Sequence, residues 1–149
     1  MEDCHSINQW YDICEYLSNS GLGPQLTNSR DVDDFPNKSW FATNQFLLEV
    51  IFCTRMKDYK FLTNDLAMAS VVNVPFYASL EISRHLRGLY TSVKDVVSND
   101  LIKFLVEQSE WKRMWSKDYF LIVGRFTWDF RRMPHNQSFW GSNFFRLPE

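Results

Sequence analysis

The sequence predicts an α/β fold, and three observations carry that reading. Val71-Val72-Asn73-Val74-Pro75-Phe76 is a compact β-branched run that reads as a buried strand ending at Pro75, because proline cannot donate to a ladder. Asp118-Tyr119-Phe120-Leu121-Ile122-Val123-Gly124 reads as a second buried strand stopped by glycine. Between them Val97, Leu101, Phe104 and Leu105 recur at i, i+4, i+7 and i+8, one buried stripe of a helix over about 95–108. Strand, helix, strand at this spacing is a βαβ unit with parallel strands and a right-handed crossover.

The remaining elements follow in chain order. Trp10, Ile13, Cys14 and Leu17 fit one helical face. Ser18-Asn19-Ser20-Gly21-Leu22-Gly23-Pro24 is dense in turn formers and ends that helix. It opens a loop-rich segment over 18–39, in which Asp31, Asp33 and Asp34 lack the Gly and terminal Glu of a calcium loop and read as solvated. Thr43 is the expected N-cap of a helix over about 44–58, with Phe46, Leu47, Val50, Ile51 and Met56 as its apolar face. Arg55, Lys57 and Lys60 lie at its end, where the helix dipole favours cations. Short helices are expected over about 65–69 and from Leu80 to Leu86.

Composition narrows the function. The 149 residues are 45% hydrophobic, 17% aromatic and 23% charged, which is a globular balance. Sixteen basic against 18 acidic residues leave a net charge of −2, so no basic footprint for nucleic acid exists. No apolar run is long enough to span a bilayer, and the polar start Met1-Glu2-Asp3-Cys4-His5 is not a signal peptide. Cys4, Cys14 and Cys53 have no zinc spacing. They read as three free thiols, or, in an oxidising compartment, as a Cys4–Cys14 or Cys14–Cys53 disulfide plus one thiol. Asn37-Lys38-Ser39 and Asn136-Gln137-Ser138 are glycosylation acceptors, a faint secretory hint.

Ligands of parallel sheets bind beyond the carboxyl ends of the strands. Those ends are Phe76-Tyr77-Ala78-Ser79 and Gly124-Arg125-Phe126-Thr127. Past the first, Glu81 shares a helical face with Arg84 and His85. Past the second runs Thr127-Trp128-Asp129-Phe130-Arg131-Arg132, where an indole beside Asp and Arg can hold a sugar through its C–H face and hydroxyls. The plainer alternative puts Trp128 and Phe130 in the core and pairs Asp129 with Arg131 or Arg132. No nucleophile elbow, Walker loop, dinucleotide fingerprint or zincin motif is present, and the three histidines are scattered.

Ala42-Thr43-Asn44-Gln45-Phe46, Arg55-Met56-Lys57, Val74-Pro75-Phe76-Tyr77-Ala78, Glu110-Trp111-Lys112-Arg113-Met114 and Gly124 through Arg132 occur in one order and spacing. With Gly21-Leu22-Gly23-Pro24, Trp140-Gly141-Ser142 and Leu147-Pro148-Glu149, they make the chain resemble the plant exostosin-type glycosyltransferases of family 47, in the xyloglucan galactosyltransferase branch. The resemblance implies a Rossmann-like N-terminal lobe of a GT-B enzyme, a parallel sheet with flanking helices. On that view 1–149 is a partial domain on the acceptor side, lacking the donor lobe and membrane anchor and inactive alone. It implies galactose transfer with inversion from UDP-galactose as co-substrate to a xyloglucan-like polysaccharide, without bound metal, on the lumenal side of the Golgi membrane. Related glycosyltransferases are the other implied partners. Tyr77, Glu81, Arg84, Asp118, Arg125, Trp128, Asp129, Arg131 and Arg132 are the expected substrate-binding residues. Arg125, Arg131 and Arg132 are expected to make charged contacts, and Trp128 and Tyr77 to stack on sugar. Asp118 and Asp129 are expected to orient, and no residue is assigned as base.

The sequence departs from the family pattern at Trp115-Ser116, Asp118-Tyr119, Ser79 and Arg84-His85-Leu86-Arg87, where the family carries Gly-Gly, Asp-His, Gly and Arg-Tyr-Leu-Trp. The alternatives are a catalytically dead form that binds glycan or joins related enzymes, and an unrelated α/β small-molecule binder.

Overall fold

The computed structural model describes residues 4–7, 12–26, 40–85, 91–113 and 117–130. Trp10, Asp31, Asp33, Asp34, both glycosylation acceptors, Leu86, Arg87, Trp115, Ser116, Arg131 and Arg132 lie outside them.

The two expected strands pair in parallel as β1 (Val72–Asn73) and β2 (Tyr119–Phe120), Val72 opposite Tyr119 and Asn73 opposite Phe120. The Val72 N–H donates to the Asp118 carbonyl at 2.7 Å, and the Val74 N–H to that of Phe120 at 2.8 Å. Both strands are shorter than their apolar runs. Pro75 has no N–H for the ladder, and the Phe76 N–H turns back to the Val74 carbonyl at 2.8 Å. Among the described residues the sheet has these two strands, flanked by helices.

The helices are α1 (Ser18–Gly21), α2 (Leu48–Met56), α3 (Ala78–His85), α4 (Thr91–Glu107) and α5 (Ser109–Arg113). Several expectations are corrected. The described part of the expected 10–17 helix is a 3-10 turn, Glu15–Leu17. It runs into α1, where Asn19 and Ser20 take left-handed φ of 49° and 62°, a region in which asparagine is enriched and serine is not. Gly23 follows at φ 86°, and a Cβ there would collide with the Ala42 carbonyl, so this close approach requires glycine. The Ala42 N–H donates to the Pro24 carbonyl at 2.9 Å and ties this turn to the entry of α2.

The cap of that entry falls to Asn44 rather than Thr43. The Asn44 side chain accepts from the Phe46 N–H at 2.9 Å and opens the 3-10 turn Gln45–Leu47 that leads into α2. The Thr43 hydroxyl instead donates to the Leu22 carbonyl at 2.8 Å. No helix forms over 65–69. There the Asp65 carboxylate accepts from the Ala67 N–H at 2.9 Å, and this local bond replaces a helical one. The apolar stripe of α4 is rotated from the expected one. Its buried side carries Lys94, Ser98 and Leu105, while Phe104 is 59% exposed.

Ile7, Ile13, Leu47, Val50 and Leu80 form one buried cluster, and Ala78, Ile82 and Phe130 a second. α2 packs on α1 and α3 on α4. Cys4 and Cys14 form a disulfide beside the first cluster, with Cα atoms 5.2 Å apart, and Cys53 is a free, half-buried thiol. Cys4, His5 and Cys14 sit together, but both sulfurs are committed to that bond. Among the described residues no helix is long and apolar enough to cross a membrane.

Candidate functional site

Because β1 and β2 are parallel, their carboxyl ends emerge side by side, and α2 places Glu49 against both exits. Glu49 is 1% exposed. Its Oε1 accepts from the Ser79 hydroxyl at 2.6 Å, from the Ser79 N–H at 2.9 Å and from the Gly124 N–H at 3.2 Å, while Oε2 lies 3.0 Å from the Ser79 nitrogen. The Gly124 N–H also reaches the Ser79 oxygen at 2.9 Å. One carboxylate thus joins three segments: α2, the first turn of α3 and the exit of β2. Burial pushes the Glu49 carboxyl above its ordinary range, and the bonds from Ser79 and Gly124 and the charge of Arg125 only partly offset that.

The next residue along carries a cation. Arg125 Nη1 donates to Asp129 Oδ2 at 3.1 Å, with the two side chains 7% and 4% exposed. The guanidinium lies over the Phe46 ring, 4.0 Å from its centroid, a cation–π contact in a desolvated setting. Among the described residues the buried Arg125 Nε has no hydrogen-bond partner. Asp129 sits in a 3-10 turn, Thr127–Asp129, anchored below by Phe130, which is 1% exposed against Ala78 and Ile82. Above it Phe126 and Trp128 project into solvent with their ring centroids 5.9 Å apart. Gln45, Phe46, Leu48, Gly124, Arg125 and Phe126 border an open hollow of about 260 Å³.

The structure therefore brings Arg125, Trp128 and Asp129 into one loop at the hollow, and pairs Asp129 with Arg125 across one turn. The alternative core reading holds for Phe130 but not for Trp128. Tyr77 stands at the exit of β1, half-buried against the Ile7–Leu80 cluster, where burial raises its phenol. Glu81 makes the expected pairs on α3, with Arg84 at 3.8 Å and His85 at 3.9 Å, and borders a separate crevice beside Lys94 and Phe130. Asp118 lies at the amino end of β2, where its carbonyl serves the sheet, so the strand carries it away from Gly124. The carboxylate that organises the site, Glu49, is missing from the sequence-derived set. Its signal was a lone acid on the stripe Phe46, Glu49, Val50, Cys53, at helical spacing within an apolar run.

The chain thus carries a hollow at the exit of its second parallel strand, bordered by Phe46, Phe126 and Arg125, at the end of the sheet where ligands of α/β folds bind. The profile of the exostosin GT47 domain matches residues 1–147, and the chain belongs to that family. It is 44% identical over 148 residues to the xyloglucan galactosyltransferase MUR3 of Arabidopsis thaliana. To two probable xyloglucan galactosyltransferases of that plant, GT14 and GT12, it is 48% and 44% identical over 151 and 154 residues. These matches cover 99–100% of this chain but 24%, 29% and 30% of the relatives, so the chain spans under a third of their length. No solved structure matches it.

Proposed function

We propose that this chain forms the acceptor-side, Rossmann-like lobe of a GT-B galactosyltransferase that adds galactose to xyloglucan side chains from UDP-galactose. The observation that carries this is the end-to-end match to xyloglucan galactosyltransferases, with a hollow opening where the parallel strands end. In such a transfer an acceptor hydroxyl attacks the anomeric carbon, its proton goes to a base, and the C–O bond to the diphosphate breaks with inversion. Phe126 and Trp128 offer faces for the acceptor's C–H surfaces. Asp129, held by Arg125, stiffens their loop rather than acting as base. The Cys4–Cys14 disulfide supports a lumenal location on the Golgi membrane, since such bonds persist in oxidising compartments. The chain by itself is inactive on this reading, because it corresponds to less than a third of the relatives.

The test is a chimera in which these residues replace the matching segment of a xyloglucan galactosyltransferase. Mass spectrometry should detect addition of one hexose from UDP-galactose to a xyloglucan oligosaccharide by the chimera and none by the chain alone. A folded chimera that transfers nothing, or a chain that transfers unaided, would defeat the reading.

A further inference from the structure

We propose that the hollow beside Gly124 is a subsite for one uronate ring, a sugar that carries a carboxylate, such as an acidic polysaccharide presents, and that the unspent edge of Arg125 takes that carboxylate. This goes beyond the reading just given, which asks for no acid in the acceptor.

The hollow is open, so its chemistry rather than its volume selects the ligand. Among the described residues that border it Arg125 is the one charged group. Its side chain is 7% exposed, and Nη1 is spent on Asp129 at 3.1 Å. The other edge of the guanidinium, Nε with Nη2, has no hydrogen-bond partner among the described residues, and Nε is buried. Folded proteins leave few buried N–H groups without an acceptor, and one that stays unmet at a ligand-sized opening calls for an oxygen from outside the chain. The edge is also held in place, because Asp129 fixes Nη1 and the Phe46 ring lies 4.0 Å from the guanidinium. Two parallel N–H groups on one rigid edge match the two oxygens of a carboxylate.

Charge sets the number of anionic oxygens. Asp129 already offsets part of the Arg125 charge, so the site suits a monoanion better than a phosphate dianion. The walls call for a ring. Leu48 and Phe126, 49% and 59% exposed, offer apolar surface to the C–H face of a pyranose. The exposed Gln45 side chain supplies both donor and acceptor for its hydroxyls. A bare anion would leave those walls in water, and a neutral sugar would leave the Arg125 edge unmet.

The experiment uses the ¹⁵N-labelled 149-residue chain, following the Arg125 Nε–H and the Gly124 amide. It is titrated separately with methyl α-galacturonoside, methyl α-galactoside and inorganic phosphate at one pH and ionic strength. The uronoside should shift both signals saturably, and the galactoside and phosphate should bind at least about tenfold more weakly. Arg125→Lys keeps the charge but has no second N–H on a rigid edge, and should weaken uronoside binding about tenfold or more. Phe126→Ala, at an exposed position, should stay folded and weaken it about two- to tenfold, and it decides the matter if the Lys variant does not fold. The proposal is overturned if the galactoside or phosphate binds as tightly as the uronoside. It is equally overturned if the uronoside leaves the Arg125 Nε–H in place, or if a folded variant of either kind binds it as the unsubstituted chain does. The galactosyltransferase reading is judged separately, by the transfer activity of the chimera.

Discussion

Ser79 gives both its hydroxyl and its backbone N–H to the carboxylate of Glu49, at 2.6 and 2.9 Å, in a site from which water is excluded. The same hydroxyl oxygen receives the Gly124 N–H at 2.9 Å, so its loss would strip bonds from two neighbours at once. A hydrogen bond to a charged group contributes about 1.5–3 kcal/mol. Ser79→Ala should therefore lower the unfolding free energy by about that amount. Glu49→Ala should lower it further, because it leaves the buried Ser79 N–H and hydroxyl without their shared acceptor. Urea unfolding of the three proteins measures both steps, and a Glu49→Ala midpoint equal to that of the unsubstituted chain would contradict the assignment.

Glu49 also sets a pH dependence whose sign can be stated. Burial raises its folded-state pKa above the unfolded value, so the folded chain holds this proton more tightly than the unfolded one. The resulting stability is fully present below the unfolded carboxylate value of about 4.3 and is lost as pH rises through the higher folded value. Glu49→Gln should remove that fall, because an amide does not titrate. Thermal midpoints of both proteins from pH 4 upward test this. The difference between them should move in favour of the Glu49→Gln protein as pH increases, and a difference that stays constant across the range would contradict the argument.

Arg125 and Asp129 form a pair with almost no solvent access, and removing one member leaves the other charge buried. Arg125→Ala should destabilise by about 3–5 kcal/mol. Arg125→Lys should recover only part of this, since an ammonium lacks the planar surface that lies on Phe46 at 4.0 Å. Denaturant midpoints would show the order: unsubstituted chain, then Lys, then Ala.

The parallel pairing of β1 and β2 was legible because each strand advertises itself locally. One is a β-branched run closed by Pro75, the other an apolar run closed by Gly124. Of the two expected strand exits only the one at Gly124 borders the hollow, not the one at Tyr77. Glu49 was not legible as the hub. Its partners lie 30 and 75 residues away, and pattern reading sees only near neighbours. The expected cap at Thr43 failed for a related reason: Thr43 looks as well suited in sequence as Asn44, but its hydroxyl is drawn to Leu22, 21 residues earlier. The stripe of α4 was misphased because its buried side includes Lys94 and Ser98, which a count of apolar residues passes over.

The Cys4–Cys14 bond closes a separation of 10 residues next to Ile7 and Ile13. Restricting the unfolded chain in this way contributes about 2–4 kcal/mol. Cys4→Ser with Cys14→Ser should lose that amount. Cys53→Ser should leave the stability in reductant-free buffer well above that of the double variant, because Cys53 carries no cross-link. Calorimetric unfolding with and without dithiothreitol checks this, and reductant should shift the unsubstituted chain and the Cys53→Ser protein but not the double variant.

Trp128 and Phe130 stand two residues apart in one turn and meet opposite environments, 68% and 1% exposed. Phe130 fills the second core cluster, so Phe130→Ala should cost about 3–5 kcal/mol through lost burial and the cavity it leaves. Trp128→Ala removes a ring that stabilises little, and its effect on unfolding should stay within about 0.5 kcal/mol. A large aromatic held in water beside a sugar-sized hollow is explained if its partner is a ligand. Trp128→Ala should accordingly weaken xyloglucan oligosaccharide binding while leaving the melting temperature in place. If instead the melting temperature falls as far as for Phe130→Ala, the indole belongs to the core and the aromatic wall of the proposed site does not exist.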